Sequence, residues 1–342
     1  MMNHDLYMEK CLILAKKGMQ DVSPNPMVGC VIVYKDKIIS SGYHMSYGSH
    51  HAEVNAIKNS IDKKILSQST LYVNLEPCSH YGQTPPCCDL IVKYKIPNVV
   101  IGTVDPFSLV SGNGINFLIK NNVNVTCGVL KSKCESLNKR FFIYHKKKRP
   151  YIILKWAMSN DGLIAPSNQI TPFWMTTKKS KLEVHRWRAQ EDSILVGTNT
   201  VKKDNPFLTV RDYDGKNPIR LIIDRNLSLD LNRNCFNDES RTLIFNNKIN
   251  IEKNNLIYVK SDFNNLVKDI LKHLYSLKVI SLIVEGGKHT IDKFIESNNW
   301  DEARVFTSKE ILKKGISSPK IKSNPRITKI FDTDRLDIYY ND

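Results

Sequence analysis

Two successive runs of alternating helix and strand patterns divide this chain of 342 residues. In the first run, segments with helical apolar spacing alternate with short β-rich segments up to about residue 145. The basic run Lys146 to Arg149 breaks the pattern, and alternation restarts at Tyr151. Such alternation is typical of layered α/β domains, in which helices cover a sheet. The sequence therefore predicts two α/β domains, residues 1–146 and 150–342, with a linker at the basic run.

Apolar spacing and turn residues predict which segments are helices and which are strands. In the first domain, helices are predicted at 2–18, 51–59, 89–95 and 113–120, and strands at 28–33, 38–41, 70–75, 99–104 and 123–127. In the second domain, helices are predicted at 177–189, 263–277 and 290–298, and strands at 151–157, 193–196, 219–224, 242–245, 257–259 and 280–284. For the first domain this order implies three layers.

Charge and cysteine content limit the partners and the compartment of such a protein. The net charge is +16, from 50 basic and 34 acidic residues, and clustered cations would favour nucleic acid. The lysines are instead scattered over both halves, which favours solvated faces and, secondarily, anionic small substrates. No apolar run approaches the roughly 18 residues of a membrane span, so no membrane partner is expected. A cytoplasmic location is predicted, where a reducing environment favours thiolate or metal chemistry for clustered cysteines.

One group of residues has the order and types of a catalytic zinc site. His51 and Glu53 stand at the start of a predicted helix, Cys78 lies 25 residues after Glu53, and Cys87 lies nine residues further on. A catalytic zinc usually has three protein ligands and an open position for water, whose pKa falls to about 7 when it is bound. Glu53 could take a proton from that water and pass it to a leaving amino group. The sequence therefore predicts His51, Cys78 and Cys87 as zinc ligands and Glu53 as the general acid and base.

Neighbouring residues leave alternatives at this site. His50 and Cys88 could compete as ligands, although His51 and Cys87 better match the residue order of zinc-dependent nucleobase deaminases. Those enzymes usually have Pro-Cys-x-x-Cys, whereas eight residues separate the two cysteines here, so a subfamily with a longer loop is required. A structural zinc site or simply buried cysteines would be the non-catalytic explanation. Asn25, between two prolines, is either a turn residue or an amide that reads a base.

Longer motifs resemble one family of bifunctional riboflavin-biosynthesis enzymes, which join a pyrimidine deaminase to a ribosylamino-uracil reductase. In the first half the motifs are Pro24-Asn25-Pro26-x-Val28-Gly29, His51-Ala52-Glu53 and, from Glu76 to Cys87, Glu-Pro-Cys-Ser-His-Tyr-Gly-Gln-Thr-Pro-Pro-Cys. In the second half they are Lys155-x-Ala157-x-Ser159-x-Asp161-Gly162, Thr200-x-x-x-Asp204-Asn205-Pro206-x-Leu208-Thr209-x-Arg211 and Val284-Glu285-Gly286-Gly287. The resemblance covers nearly the whole chain. Asn160 and Pro172 depart from the family pattern.

This resemblance implies a fold and an activity for each half. The first half would have the cytidine-deaminase fold and use zinc to remove the amino group of 2,5-diamino-6-ribosylamino-4(3H)-pyrimidinone 5′-phosphate. The second would have a dihydrofolate-reductase-like fold and use NADPH to reduce the ribosyl group to ribityl. The residues that would contact NADPH are Ala157, Trp174, Thr200, Asp204 and Gly287. Those that would hold the substrate are Arg188, Leu208, Arg211 and Glu285, with the arginines suited to its phosphate.

Two other functions agree with parts of the sequence. A tRNA or nucleic-acid base deaminase with a degenerate second half would use the zinc motif and the positive charge, but would leave residues 150–342 without a role. A zinc-stabilised binding module would use the basic surface, but only three zinc ligands are evident. The expected partner is therefore a phosphorylated pyrimidine and neither nucleic acid nor a membrane. Self-association into a homo-oligomer is compatible with the sequence.

Overall fold

The computed structural model describes residues 3–81, 85–107, 110–167 and 173–341. The chain forms two compact units, Met1–Lys148 and Arg149–Asp342. Each unit contains one large sheet, and the second also has a separate pair of strands. Among the described residues, no helix is both long and apolar enough to cross a lipid bilayer.

The first unit is built on a five-stranded sheet in the order β2-β1-β3-β4-β5. β1 is antiparallel to β2 and β3, whereas β3, β4 and β5 are parallel. The strands are β1 (Gly29–Tyr34), β2 (Lys37–Tyr43), β3 (Thr70–Val73), β4 (Asn98–Ile101) and β5 (Asn124–Cys127). The helices are α1 (His4–Ala15), α2 (Ala52–Asn59), α3 (Cys87–Lys93), α4 (Asn113–Lys120), α5 (Lys131–Leu137) and α6 (Lys139–Lys147).

Both faces of this sheet are covered, as the predicted three layers require. Successive side chains of a strand point to opposite faces. Ile32 accordingly packs in one core cluster with Ala56 of α2, and Val31 packs in another with Met8 of α1. The predicted elements of this unit are present, with ends shifted by a few residues.

The second unit is built on a ten-stranded sheet in the order β11-β12-β10-β9-β8-β13-β6-β14-β17-β16, and β7 and β15 form a separate antiparallel pair. From β12 to β14 neighbouring strands are parallel, and antiparallel strands lie at both edges. The strands are β6 (Tyr151–Met158), β7 (Leu163–Pro166), β8 (Ser193–Gly197), β9 (Ile219–Ile223), β10 (Thr242–Asn246), β11 (Ile251–Lys253), β12 (Leu256–Lys260), β13 (Ser281–Val284), β14 (Glu302–Thr307), β15 (Gly315–Ser317), β16 (Ile327–Phe331) and β17 (Asp334–Tyr340). The helices are α7 (Lys178–Gln190), α8 (Thr198–Asp204), α9 (Leu266–Ser276) and α10 (Lys288–Glu296).

The parallel order of this sheet decides where a site can lie. β6, β8, β9 and β13 are parallel, so their C-terminal ends meet at one edge. Open parallel sheets bind ligands at that edge, where the chain leaves the strands. Core clusters pack on the sheet, one including Leu154 and Leu282 and the other including Ile194 and Ile222. The packed core therefore fixes the position of these strand ends, which form the floor of a candidate binding site.

The structure differs from the sequence prediction at the linker and in elements that were not predicted, which are α5, α6, α8, β7, β11 and β14 to β17. The predicted linker at the basic run is wrong in part, because Lys146 and Lys147 form the last turn of α6, a helix that buries Phe141 and Phe142. β14 was not predicted, although all six of its residues are buried. Within the interior, its Glu302 accepts a hydrogen bond from Arg304. Because these charged residues interrupt the apolar run, the sequence of β14 does not indicate a buried strand.

Candidate active sites

The first candidate site is assembled from two helix starts and one strand end. His51 is the N-cap of α2, in an extended conformation, and Glu53 lies in the first turn of that helix. Cys78 follows β3, and Cys87 is the first residue of α3. The backbone N–H of Cys88 donates to the carbonyl of Cys78 at 3.1 Å, which fixes the two cysteine segments against each other.

The three predicted ligands lie together. Nδ1 of His51 is 3.3 Å from Sγ of Cys87 and 3.5 Å from Sγ of Cys78. The candidate ligand atoms of all three residues lie within 4.8 Å of one another. One nitrogen and two sulfurs are donors that zinc prefers, and three protein ligands are typical of catalytic zinc. The residues present therefore fit a zinc ion of that kind.

Hydrogen bonds and burial set the charges in this cluster. A hydrogen bond from the Cys87 thiol, assisted by one from His51, lowers the pKa of Cys78 to about 4. The hydrogen bond between His51 and Cys78 in turn raises the pKa of His51. Glu53 is only 3% exposed, and burial raises the pKa of its carboxyl group above the ordinary value. A carboxylate of raised pKa beside a thiolate is suited to accept a proton and return it.

The two residues that could compete as ligands have other partners. Cys88 donates its thiol to the carbonyl of Pro77 at 3.4 Å. His50 is exposed, and its Nε2 lies 2.7 Å from Nζ of Lys58. Neither belongs to the cluster of three ligand atoms. The geometry thus agrees with the choice of the neighbouring His51 and Cys87.

A polar chain that the sequence did not predict connects Asn25 to this site. His44 is 2% exposed, and its Nδ1 lies 3.1 Å from the carbonyl oxygen of His50. A carbonyl only accepts, so Nδ1 carries the proton and Nε2 accepts from the Asn25 amide at 3.1 Å. The His44 ring also meets the His51 ring edge to face, with centroids 5.5 Å apart. Asn25 is consequently connected through His44 to the predicted zinc ligand His51.

The second candidate site is a cavity of about 800 Å³ at the C-terminal ends of β6, β8, β9 and β13. Its volume falls within the roughly 300–1,000 Å³ of ligand pockets. All five residues predicted to contact the cofactor line it: Ala157, Trp174, Thr200, Asp204 and Gly287. The predicted substrate residue Glu285 lines the same cavity.

Two glycines bring the start of α10 to this cavity. Gly286 packs against β8 so closely that a Cβ there would lie 2.4 Å from Cα of Val196. Gly287 is the N-cap of α10 and has a φ of +50°, a value that favours glycine. Lys288 and His289, in the first turn of α10, also line the cavity. Because helix N-termini favour phosphate groups, these residues fit the diphosphate of a dinucleotide cofactor.

The wall of the cavity carries a buried charge cluster. Arg188 donates to Glu285 through Nε at 3.1 Å and through Nη2 at 2.8 Å, and Nζ of Lys155 lies 3.9 Å from the same carboxylate. Burial alone would raise the pKa of Glu285, but the charges of Arg188 and Lys155 outweigh burial and bring it to about 2. Burial lowers the pKa of Lys155. The wall therefore presents a permanent carboxylate beside an amine of reduced basicity.

The other predicted substrate residues lie on the segment after α8. Leu208 is 2% exposed and has a φ of +60°. Nη1 of Arg211 donates to Oγ1 of Thr209 at 3.3 Å. Nη1 of Arg188 donates to the carbonyl of Thr209 at 3.4 Å, which joins this segment to the charge cluster. Arg188, Leu208 and Arg211 are not among the residues that line the cavity, and their segment is connected to it through the bonds of Arg188 to Glu285.

Some residues at these sites escaped sequence reasoning. Lys155 and Lys203 line the cavity but were not predicted as site residues. Lys155 could have been found from the sequence, because it is the first residue of the motif that contains Ala157. Lys203 stands between Thr200 and Asp204 without a motif position of its own. Pro172 and residues 82–84 of the cysteine loop lie outside the described residues.

Comparison with known proteins defines the class of this chain. Residues 1–103 match the family model described as "Cytidine and deoxycytidylate deaminase zinc-binding region", and residues 150–312 match the one described as "RibD C-terminal domain". The chain is thus a zinc-type deaminase joined to a reductase. It is 40% identical to the riboflavin biosynthesis protein RibD of Aquifex aeolicus strain VF5, over 91% of this chain and 88% of that protein. The chain belongs to the RibD family of riboflavin biosynthesis proteins.

Solved structures agree over the full length. The structure of a diaminohydroxyphosphoribosylaminopyrimidine deaminase/5-amino-6-(5-phosphoribosylamino)uracil reductase from Thermotoga maritima has a TM-score of 0.88 and 36% identity, with 98% of this chain and 97% of that chain covered. RibD of Acinetobacter baumannii also has a TM-score of 0.88, at 26% identity and 98% coverage of both chains. The predicted folds, cytidine-deaminase-like and then dihydrofolate-reductase-like, are confirmed. Family membership also fits the two predicted cofactors, zinc for the first unit and NADPH for the second.

Proposed function

We propose that residues 1–146 deaminate 2,5-diamino-6-ribosylamino-4(3H)-pyrimidinone 5′-phosphate and that residues 150–342 then reduce its ribosyl group to ribityl with NADPH. The convergence of His51, Cys78 and Cys87 beside the buried Glu53 is the observation that carries this proposal. The cavity lined by the predicted cofactor residues supports the second activity.

In the first site, each functional side chain has a distinct task. His51, Cys78 and Cys87 would hold a zinc ion, which would supply the Lewis acidity that makes water a nucleophile near neutral pH. Glu53 takes a proton from the attacking water and delivers it to the departing amino group, so that ammonia leaves. Asn25, fixed by His44, orients the pyrimidine ring by hydrogen bonding.

In the second site, the proposed cofactor residues and the proposed substrate residue Glu285 line one cavity. Ala157, Trp174, Thr200, Asp204 and Gly287 would bind NADPH, which would supply the hydride.

The substrate is held beside the cofactor by a second group of residues. Glu285, kept ionised by Arg188, accepts hydrogen bonds from hydroxyl or amino groups of the substrate. Arg211 and Arg188 lie close enough to share recognition of the anionic end, and Leu208 supplies an apolar contact. The arginines suit a phosphate because guanidinium groups bind its oxygens through paired hydrogen bonds.

The remaining predictions concern partners and location. A base deaminase with a degenerate second half is not favoured, because the second unit has a formed cavity and an intact buried charge cluster. A small phosphorylated pyrimidine rather than nucleic acid is the proposed partner. The cytoplasm is the proposed compartment, since Cys78 and Cys87 must stay reduced to bind metal. A homo-oligomer stays a prediction from the sequence.

The proposal can be tested with Glu53→Gln in the full-length protein. We expect ammonia release from the diaminopyrimidine phosphate to fall by about 10²- to 10⁴-fold, the usual loss when a general acid–base is removed. Zinc content by elemental analysis should not change, because Glu53 is not a ligand. NADPH oxidation with the already deaminated substrate should also be unchanged. The control Glu9→Gln, at a half-exposed position on α1 that pairs with Lys133, should release ammonia at the wild-type rate. Normal release by Glu53→Gln would reject the mechanism.

A further inference from the structure

One face of α7 is tied to the chain segment that follows α8. Lys181, His185 and Arg188 are four and three residues apart, so their side chains share that face. Nζ of Lys181 lies 2.9 Å from Oδ2 of Asp212, and Nη1 of Arg188 donates to the carbonyl of Thr209 at 3.4 Å. His185 lies between these two links and is 1% exposed. A buried histidine thus occupies the middle of the seam between helix and segment.

His185 uses both of its ring nitrogens in this seam. The backbone N–H of Arg211 donates to Nδ1 at 3.2 Å, and Nε2 lies 3.6 Å from Oδ2 of Asp212. A backbone N–H can only donate, so Nδ1 of His185 is unprotonated. The neutral ring therefore carries its proton on Nε2, which faces the carboxylate of Asp212. Burial and the charge of Arg188, with those of Arg211 and Lys181, lower the pKa of His185 to about 4 against the attraction of Asp212. The ring is therefore a constant acceptor near neutral pH.

The segment held by this histidine needs support from outside. Leu208 has a φ of +60°, a conformation that residues other than glycine adopt only rarely. The guanidinium of Arg211 donates to Thr209 on the same segment, which does not anchor it to the rest of the unit. Lys181 and Arg188 hold the neighbouring Asp212 and Thr209, whereas the bond from the backbone N–H of Arg211 to His185 acts on the backbone of Arg211 itself.

We propose that His185 is a positioning residue for recognition of the substrate phosphate. It fixes the backbone of Arg211 so that the guanidinium meets the 5′-phosphate together with Arg188, and it does not touch the phosphate itself. This inference rests on the proposed function, which assigns Arg211 to the substrate. The property that His185 controls is the preference of the reductase for a phosphorylated over an unphosphorylated substrate.

Two substitutions that keep most of the side-chain volume separate the roles of the ring nitrogens. In His185→Asn, Oδ1 takes the place of Nδ1 and can accept from the Arg211 amide. In His185→Gln, the amide group reaches the former position of Nε2 and leaves the Arg211 amide without its acceptor. Lys179→Ala, an exposed position on the same helix, is the matched control.

The measurement is kcat/KM of the full-length zinc-loaded protein with NADPH, on the deaminated ribosylamino-uracil 5′-phosphate and on its dephosphorylated form. We expect His185→Gln to lower the preference for the phosphorylated substrate by about tenfold or more, mainly through KM, as loss of a ground-state binding contact does. His185→Asn should retain the preference within about threefold, since it preserves the accepting atom. The Kd of NADPH and the Lys179→Ala preference should match the wild type.

The outcomes distinguish this inference from the function on which it rests. If His185→Gln lost activity equally on both substrates, or kept the wild-type preference, the positioning role would be overturned. If His185→Asn lost the preference as fully as His185→Gln, acceptance by Nδ1 would not be the cause and the inference would fail. A wild-type protein that oxidises NADPH with neither substrate would instead reject the proposed reductase function, and this inference with it.

Discussion

Glu285 shows how strongly one buried carboxylate can hold a site together. Its two oxygens take hydrogen bonds from Arg188, and Lys155 adds a second positive charge. Glu285→Gln would leave both cations buried without a counter-charge, which typically destabilises a protein by about 3 to 5 kcal/mol. Urea unfolding at pH 7 should show a loss of this size. Arg188→Met in the same chain should recover part of it, and a loss under about 1 kcal/mol would mean that water already screens the cluster.

Ionisation of Glu285 should also make the free energy of unfolding depend on pH. Its pKa is about 2 in the folded protein against an ordinary value of 4.5, so its stabilising effect is present above pH 4.5 and is lost as the pH falls towards 2. The difference in unfolding free energy between wild type and Glu285→Gln should therefore shrink as the pH is lowered from 7 to 3. A difference that stayed constant over this range would show that ionisation of Glu285 is not its source.

Residue types and order predicted the metal cluster but not the residues that support it. Histidine, glutamate and two cysteines in this order are rarely combined for another purpose, so His51, Cys78 and Cys87 could be selected because they match the residue order of zinc-dependent nucleobase deaminases. The roles of His44 and His185 depend on partners that are distant in the sequence. One meets the amide of Asn25 and the other meets a backbone amide 26 residues away. A histidine carries no local sequence signal of the partner it will find after folding.

Glu76 joins the end of β3 to the start of α4. Its carboxylate, which is buried, accepts backbone N–H bonds from Asp105 and Gly112 on one oxygen, at 3.1 and 3.0 Å. The other oxygen accepts from Gly114 and Ile115 at 3.0 and 3.2 Å. Two of these amides belong to the first turn of α4, where unpaired N–H groups need acceptors. The strand end that leads to the metal cluster is thus fixed by a helix distant in sequence.

Glu76→Gln tests this connection. The glutamine amide keeps one accepting oxygen and turns an NH₂ group towards two of the four donors, so a loss of about 1 to 3 kcal/mol in unfolding free energy is expected. Because Cys78 lies two residues away, zinc affinity should fall by about 10- to 100-fold, as it does when residues that orient metal ligands are changed. Competition with a chromophoric chelator measures that affinity. Wild-type zinc retention by Glu76→Gln would limit Glu76 to a role in stability.

Elements with clear periodicity were predicted, and those whose polar residues pair inside the protein were not. β6 and β13 are apolar runs and are present as predicted. β17 carries Asp334, Asp337 and Arg335, and each aspartate accepts from a nearby side chain, so its charged sequence does not indicate a strand. Burial of a charge depends on a partner supplied by the fold, which local patterns do not contain.

Each of the two units has its own core and its own candidate site. The clusters that include Ile32 and Met8 belong to the first unit, and those that include Leu154 and Ile194 belong to the second. The cavity is lined by residues between 155 and 316, whereas the three predicted zinc ligands lie between residues 51 and 87. The residues assigned to one activity are therefore drawn from one unit alone.

A fragment of residues 149–342 should accordingly fold and reduce the substrate without the first unit. The fragment retains the ten-stranded sheet and each residue named at the cavity, so its KM for NADPH and its kcat on the deaminated substrate should lie within about threefold of the full-length values, as for a domain with its own core. The matched fragment 1–148 should release ammonia but not oxidise NADPH. Circular dichroism verifies folding of both, and a folded but inactive 149–342 fragment would show that the reductase site requires residues of the first unit.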